Sequence, residues 1–149
     1  SGTYGKPLEE YSLRHYGELM ACTDDIAAVT CHLQATRLRV VRDIGDVTTA
    51  EFLDCLKGLR EDMERVKKEF DNLPRPALTS EEVEAGFGKL DFGLFGIVDE
   101  LACRQGLTDE QVKDMSLQTV LGKLAIIGGR AQAERRLADI RTRKSRRSL

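Results

Sequence analysis

Four cysteines and two histidines are the residues of this chain best suited to chemistry: Cys22, Cys31, Cys55, Cys103, His15 and His32. No two cysteines form a C-x-x-C pair, the usual unit of a thiol metal or redox site. The bland reading is buried free thiols in a reducing compartment. The sharper one is a disulfide joining Cys22 or Cys31 to Cys55 across two helices. The histidines stand 17 positions apart and make no i, i+4 metal pair, and Cys31 points to another helix face than His32. No metal and no cofactor is expected on this spacing.

Other constellations for catalysis fail on spacing as well. Gly86-x-Gly88-Lys89 has the composition of a phosphate loop. A P-loop needs four residues between its glycines, a Ser or Thr after the lysine and a strand before it, and here Leu90 follows. The segment reads instead as a glycine-rich packing stretch or joint. No serine has the Gly-x-Ser-x-Gly setting of a nucleophile elbow. Glu81-Glu82 sits at a capping position, where acids complement the helix dipole. Asp91, Glu100 and His32 are titratable but belong to no catalytic pattern. A non-enzymatic protein is the expectation.

Charge is more informative. Residues 130–149 hold seven arginines and one lysine against Glu134 and Asp139, a net +6. The whole chain carries −2, so the other 129 residues carry −8. An acidic body with a basic tail implies that the tail meets something negative. Candidates are nucleic acid, an acidic protein face, or the acidic body of another copy. The residues of this arm are Arg135, Arg136, Arg141, Arg143, Lys144, Arg146 and Arg147. They lack interleaved aromatics for base stacking, so nucleic-acid binding through them would be non-specific.

The elements that position these groups all read as helices. Apolar residues recur at steps of three and four in two stretches, the seam pattern of helices packed side by side. One stretch is Leu19, Cys22, Ile26, Val29, Leu33, Thr36 and Val40; the other is Phe52, Leu56, Leu59, Met63, Val66 and Phe70. A first helix is expected from Pro7 to about Asp43, with Gly17 as a bend. Thr48 with Glu51 opens a second helix, which Leu73-Pro74-Arg75-Pro76 stops near Asn72. The two would form a long antiparallel hairpin over 7–72. Thr79 with Glu82 and Thr108 with Gln111 open further helices, Gly106 closes one, and Ser116 caps the last. Gly128-Gly129 would kink that helix. No alternating strand pattern occurs and no apolar run reaches membrane-spanning length. The expected fold is all-α: one helical domain over 1–140, its hairpin followed by C-terminal helices over 79–140, and a flexible basic tail over 141–149 that is disordered without its partner.

Residues 99–115 also fit a helix-turn-helix template. The second helix of that unit carries Asp109, Glu110 and Asp114 against Lys113, which would repel DNA phosphates. Packing is therefore the favoured reading of this pair.

The run Phe95 to Leu117, extending to Leu124, contains Leu101-Ala102, Gly106-Leu107-Thr108, Glu110 and Val112 before a leucine-rich helix. This order resembles a segment of tail-assembly chaperones, small helical proteins of tailed phages. The resemblance implies that Thr108 caps a short helix and that Leu117, Val120, Leu121 and Leu124 form its neighbour's packing face. It also implies a non-enzymatic virion-assembly protein, working in the host cytoplasm or the virion. The N-terminal hairpin and basic tail have no counterpart in that pattern, and an adaptor or connector subunit would suit them equally. Protein partners are expected, other copies of the chain among them; the alternative is a nucleic-acid-binding module using the basic arm.

Overall fold

The computed structural model describes residues 6–36 and 44–148. Seven α-helices account for most of them, with no named strand among the described residues. They are α1 (Leu13–Ala21), α2 (Asp25–Thr36), α3 (Thr49–Asp71), α4 (Ser80–Glu84), α5 (Gly93–Gln105), α6 (Asp109–Lys113) and α7 (Leu117–Arg147). Short 3-10 turns cover Leu8–Glu10, Ile44–Asp46 and Phe87–Lys89. The all-α class expected from the sequence is what the chain adopts.

Hydroxyl caps set most helix starts. Ser12, Thr48, Thr79, Thr108 and Ser116 each accept a hydrogen bond from the backbone N–H three residues on. At Thr79 and Thr108 the cap residue's own N–H donates to the side-chain oxygen of Glu82 and Gln111, which completes a capping box. Gly106 closes α5 at φ +63°, a conformation that only glycine adopts without cost.

Two departures from expectation have local causes. The first long helix is interrupted at Cys22–Asp24, not at Gly17. Asp24 Oδ1 accepts from Ala27 N at 2.8 Å, so an aspartate cap starts α2 afresh. Gly17 stays inside α1, where a Cβ would stand 3.2 Å from Leu94 Cδ1; it lets α5 approach. The expected run of that helix to Asp43, with Val40 on its seam, lies outside the described residues. The last helix, α7, runs on through Gly128-Gly129. The other departure is that residues 141–147 are helical, not a disordered tail. Beyond Gly129 the chain holds no glycine or proline and is rich in Ala, Arg and Leu, all strong helix formers. A helix nucleated on the body extends through such residues cheaply, and Lys144, Arg146 and Arg147 complement its negative end. Apolar periodicity reports packing, and its absence left helicity undetermined.

Leu8, Leu13, Val66, Leu101, Val112, Leu117 and Val120 form the centre of the main core. A second cluster joins Val29 and Leu33 of α2 to Cys55 and Leu56 of α3, with Val47 and Phe52 against it. Ion pairing of Arg60 with Asp25 at 2.7 Å closes the outside of this contact. Tyr16 stacks on Phe70 at a centroid distance of 5.7 Å.

A polar clamp fixes the start of the chain. Asp62 on α3 is only 3% exposed. It accepts from Leu8 N at 3.2 Å and from Arg65 at 2.8 Å, and Arg65 grips Glu9 through two bonds of 2.6 and 2.9 Å. A buried carboxylate is stable only when paired in this way. The Arg65 guanidinium holds the Glu9 carboxyl below its ordinary value of 4.5. Glu9 thus ionises more readily in the fold than in the unfolded chain. Its contribution is complete above about 4.5 and is lost as pH falls through the lower folded value. The thermal midpoint of Glu9→Gln should therefore lie below that of the parent at neutral pH, with the gap closing in acid. A gap independent of pH would show that the pair contributes nothing through its charge.

Candidate interaction surface

At 31 residues, α7 is about 46 Å long at 1.5 Å per residue. Its first half belongs to the body: Leu117, Val120 and Leu121 are buried, and Leu124 and Ile127 pack against the core. From Arg136 to Ser148 every residue is exposed. The helix is therefore half core element and half projecting arm.

The loop after α3 anchors the junction. The carbonyl of Pro74 lies so close to Gly128 that a Cβ there would stand 1.8 Å from its oxygen. Gln132 donates to Arg75 O at 2.7 Å and Arg135 donates to Ala77 O at 2.6 Å. Arg135 also pairs with Glu82 on α4 at 3.1 Å. Arg135 is consequently an anchor and not a free member of the arm. Arg136, Arg141, Arg143, Lys144, Arg146 and Arg147 have no ion-pair partner among the described residues, so the available basic surface is these six. Leu137 and Ile140 lie among them and remain well exposed.

A second exposed feature adjoins the arm's root. Leu78, Val83, Phe87, Leu90, Phe92 and Phe95 all present apolar surface, Phe92 at 68% and Phe95 at 83%. The bond from Arg135 to Ala77, next to Leu78, joins this segment to α7. Gly86 at φ +89° and Gly93 at φ +54° turn the chain on either side of the 3-10 turn, which breaks the glycine-rich stretch into α4 and α5. The glycines of this run imply packing or a joint, and its three phenylalanines are the signal of a surface. Six exposed large apolar side chains over 78–95 offer surface for a contact.

The packing seam of α3 is not part of the surface. Leu56, Leu59 and Val66 are buried, Met63 and Phe70 pack on the main core, and Phe52 packs on the second cluster. These six close within the chain. The helix pair α5–α6 is anchored to the body through one face: Val112 is fully buried, and Arg14 binds Glu110 at 2.6 Å and Asp114 at 3.2 Å. With only five residues, and with Glu110 and the C-cap Asp114 engaged by Arg14, α6 is a packing element.

Folding also joins chemistry-bearing groups that linear spacing kept apart. His15 Nε2 and His32 Nδ1 are 3.0 Å apart across α1 and α2, with Tyr11 packed on both rings. Burial and the neighbouring ring hold His32 down to about 4, and burial lowers His15. Cys31 approaches Glu18 Oε2 at 4.0 Å, and burial pushes its thiol up to about 11, as it does that of Cys55. All four cysteines are free thiols. No i, i+4 histidine spacing signals this cluster; the sign of it in the sequence is that His15, Glu18 and Cys22 share one helix face.

Gly128 offers a direct test of how the arm is held. Gly128→Ala should cost roughly 1–3 kcal/mol, the usual range for overpacking, because the obstacle is backbone. At Gly129, where a Cβ meets nothing within 4 Å, alanine should be neutral or stabilise by up to about 1 kcal/mol through helix propensity. Denaturant unfolding of the two variants measures this; equal effects would place the loop elsewhere.

No protein-family model matches the chain, and no curated protein or solved structure matches it either.

Proposed function

We propose that this chain is a non-enzymatic helical interaction protein whose arm binds an acidic partner protein. The observation that carries the reading is the projecting half of α7, with six cations that have no ion-pair partner among the described residues, on a helix rooted in the body. Long-range attraction from such a surface speeds encounter with a negative partner. Leu137, Ile140 and the exposed apolar segment at the arm's root favour protein over nucleic acid. Phosphate binding makes no use of apolar side chains, whereas a protein interface sets an apolar centre inside a charged rim. In keeping with the resemblance to tail-assembly chaperones, the partner would be another component of a phage assembly, met in the host cytoplasm or the virion. The non-enzymatic reading draws support from the histidines, which are engaged with each other, and from Cys55, enclosed in the second core cluster.

Two labelled probes separate the readings: an acidic amphipathic helical peptide with leucines at three- and four-residue steps, and a random-sequence DNA duplex. The full chain should bind the peptide, and the double variant Leu137→Gln/Ile140→Gln should bind it at least about tenfold more weakly, since each buried aliphatic side chain contributes about 1.5–3 kcal/mol. Binding to DNA alone, unaffected by that variant and falling with salt at a log–log slope of about −5 for six phosphates, would overturn the proposal in favour of the nucleic-acid reading. Binding to neither probe at low salt would remove the arm as an interaction surface.

A further inference from the structure

The joint between α1 and α2 gathers more ligating atoms than any other place among the described residues. One ligand atom from each of His15, Glu18 and Cys31 lie within 4.8 Å of one another. A fourth donor stands beside them. Cys22 Sγ lies just outside that group and donates to the carbonyl oxygen of Glu18 at 3.2 Å. His15, Glu18 and Cys22 fall at i, i+3 and i+7, so α1 and its C-cap present them along one face. Cys31 completes the set from the facing helix.

We propose that His15, Glu18, Cys22 and Cys31 form a tetrahedral site for zinc or a similar divalent transition metal. Two thiolates, an imidazole and a carboxylate match the ligand preferences of zinc. Bonds of about 2.0–2.3 Å at the tetrahedral angle put ligand atoms roughly 3.3–3.8 Å apart. The three clustered atoms must therefore close up by about 1 Å and Cys22 Sγ must turn from the Glu18 carbonyl to join them, movements within the rotamer freedom of an exposed Glu18 and of half-exposed Cys22 and Cys31. A buried histidine partner already orients the imidazole. His15 Nε2 is engaged by His32 Nδ1 at 3.0 Å, which leaves Nδ1 of His15 as the nitrogen for a cation. Metal-bound histidines ordinarily donate their second ring N–H to such a partner. Exposure of Glu18 gives the ion a route from solvent. Once bound, the metal would staple α1 to α2 across the interruption at Cys22–Asp24.

Cobalt(II), added to the reduced full-length chain as a coloured stand-in for zinc and then displaced by zinc, tests the site. The expected result is one equivalent per chain, with thiolate-to-cobalt charge-transfer bands and the intense visible bands of tetrahedral cobalt. Cys22→Ser/Cys31→Ser should abolish the charge-transfer bands, and Cys55→Ser/Cys103→Ser should keep them. Glu18→Gln, at an exposed position that folding does not depend on, should weaken zinc binding at least tenfold. His32→Gln should weaken it about 10–100-fold, the usual cost of losing a ligand's hydrogen-bond partner. Absence of thiolate bands, bands that survive in the Cys22/Cys31 variant, or unchanged zinc affinity in Glu18→Gln would overturn the assignment. If the double cysteine variant loses its helical circular dichroism, the Glu18 and His32 variants decide alone.

Discussion

The backbone pairing of Ser12 with Ser116 is the constraint on which the arrangement of this protein rests. Leu13 N donates to Met115 O at 2.9 Å and Leu117 N donates to Tyr11 O at 2.8 Å. Both serines are also N-caps, so α1 and α7 spring from a single point although a hundred residues separate them. Leu13 and Leu117, each next to a capping serine, are fully buried there. The two bonds satisfy N–H groups that would otherwise be orphaned at buried helix starts. The Asp62–Arg65–Glu9 clamp secures the residues just before α1 to α3, so one short N-terminal segment binds the middle and the end of the chain together.

This dependence on distant contacts explains what the sequence did and did not disclose. Thr79, Thr108 and Ser116 were legible as helix starts because capping is local: a hydroxyl meets an N–H three residues away. The Thr108 turn and the packing face of Leu117, Val120 and Leu121 were legible for the same reason, being encoded by neighbours in sequence. The interruption before α2 was locally encoded too. Thr23-Asp24-Asp25 contains a capping aspartate, but it sits inside an apolar repeat that looked continuous and has no glycine or proline to mark it. By contrast, the contact of His15 with His32 and the burial of Asp62 depend on how helices pack. No spacing rule within one helix reports them.

The arm shows the opposite failure. Its lack of apolar periodicity led to an expectation of disorder, whereas the residues are good helix formers continuing an anchored helix. Composition sets local propensity, packing sets periodicity, and the two separate wherever a helix leaves its body. The acidic body and basic arm thus keep their charges in different places, the body's partly consumed by pairs such as Arg14 with Glu110 and Asp114, the arm's beyond Arg135 without an ion-pair partner among the described residues.

The contact at Gly128 keys a shaft. No side chain can stand where the Pro74 carbonyl crosses α7, so the helix can neither slide by a turn nor rotate about its axis without driving a bulkier residue into the loop. An α-helix advances about 100° per residue, and a fixed angle at Gly128 therefore fixes the azimuth of every residue beyond it. Which guanidinium faces outward at the far end of the protein is decided by the one residue, some twenty positions earlier, that has no side chain at all.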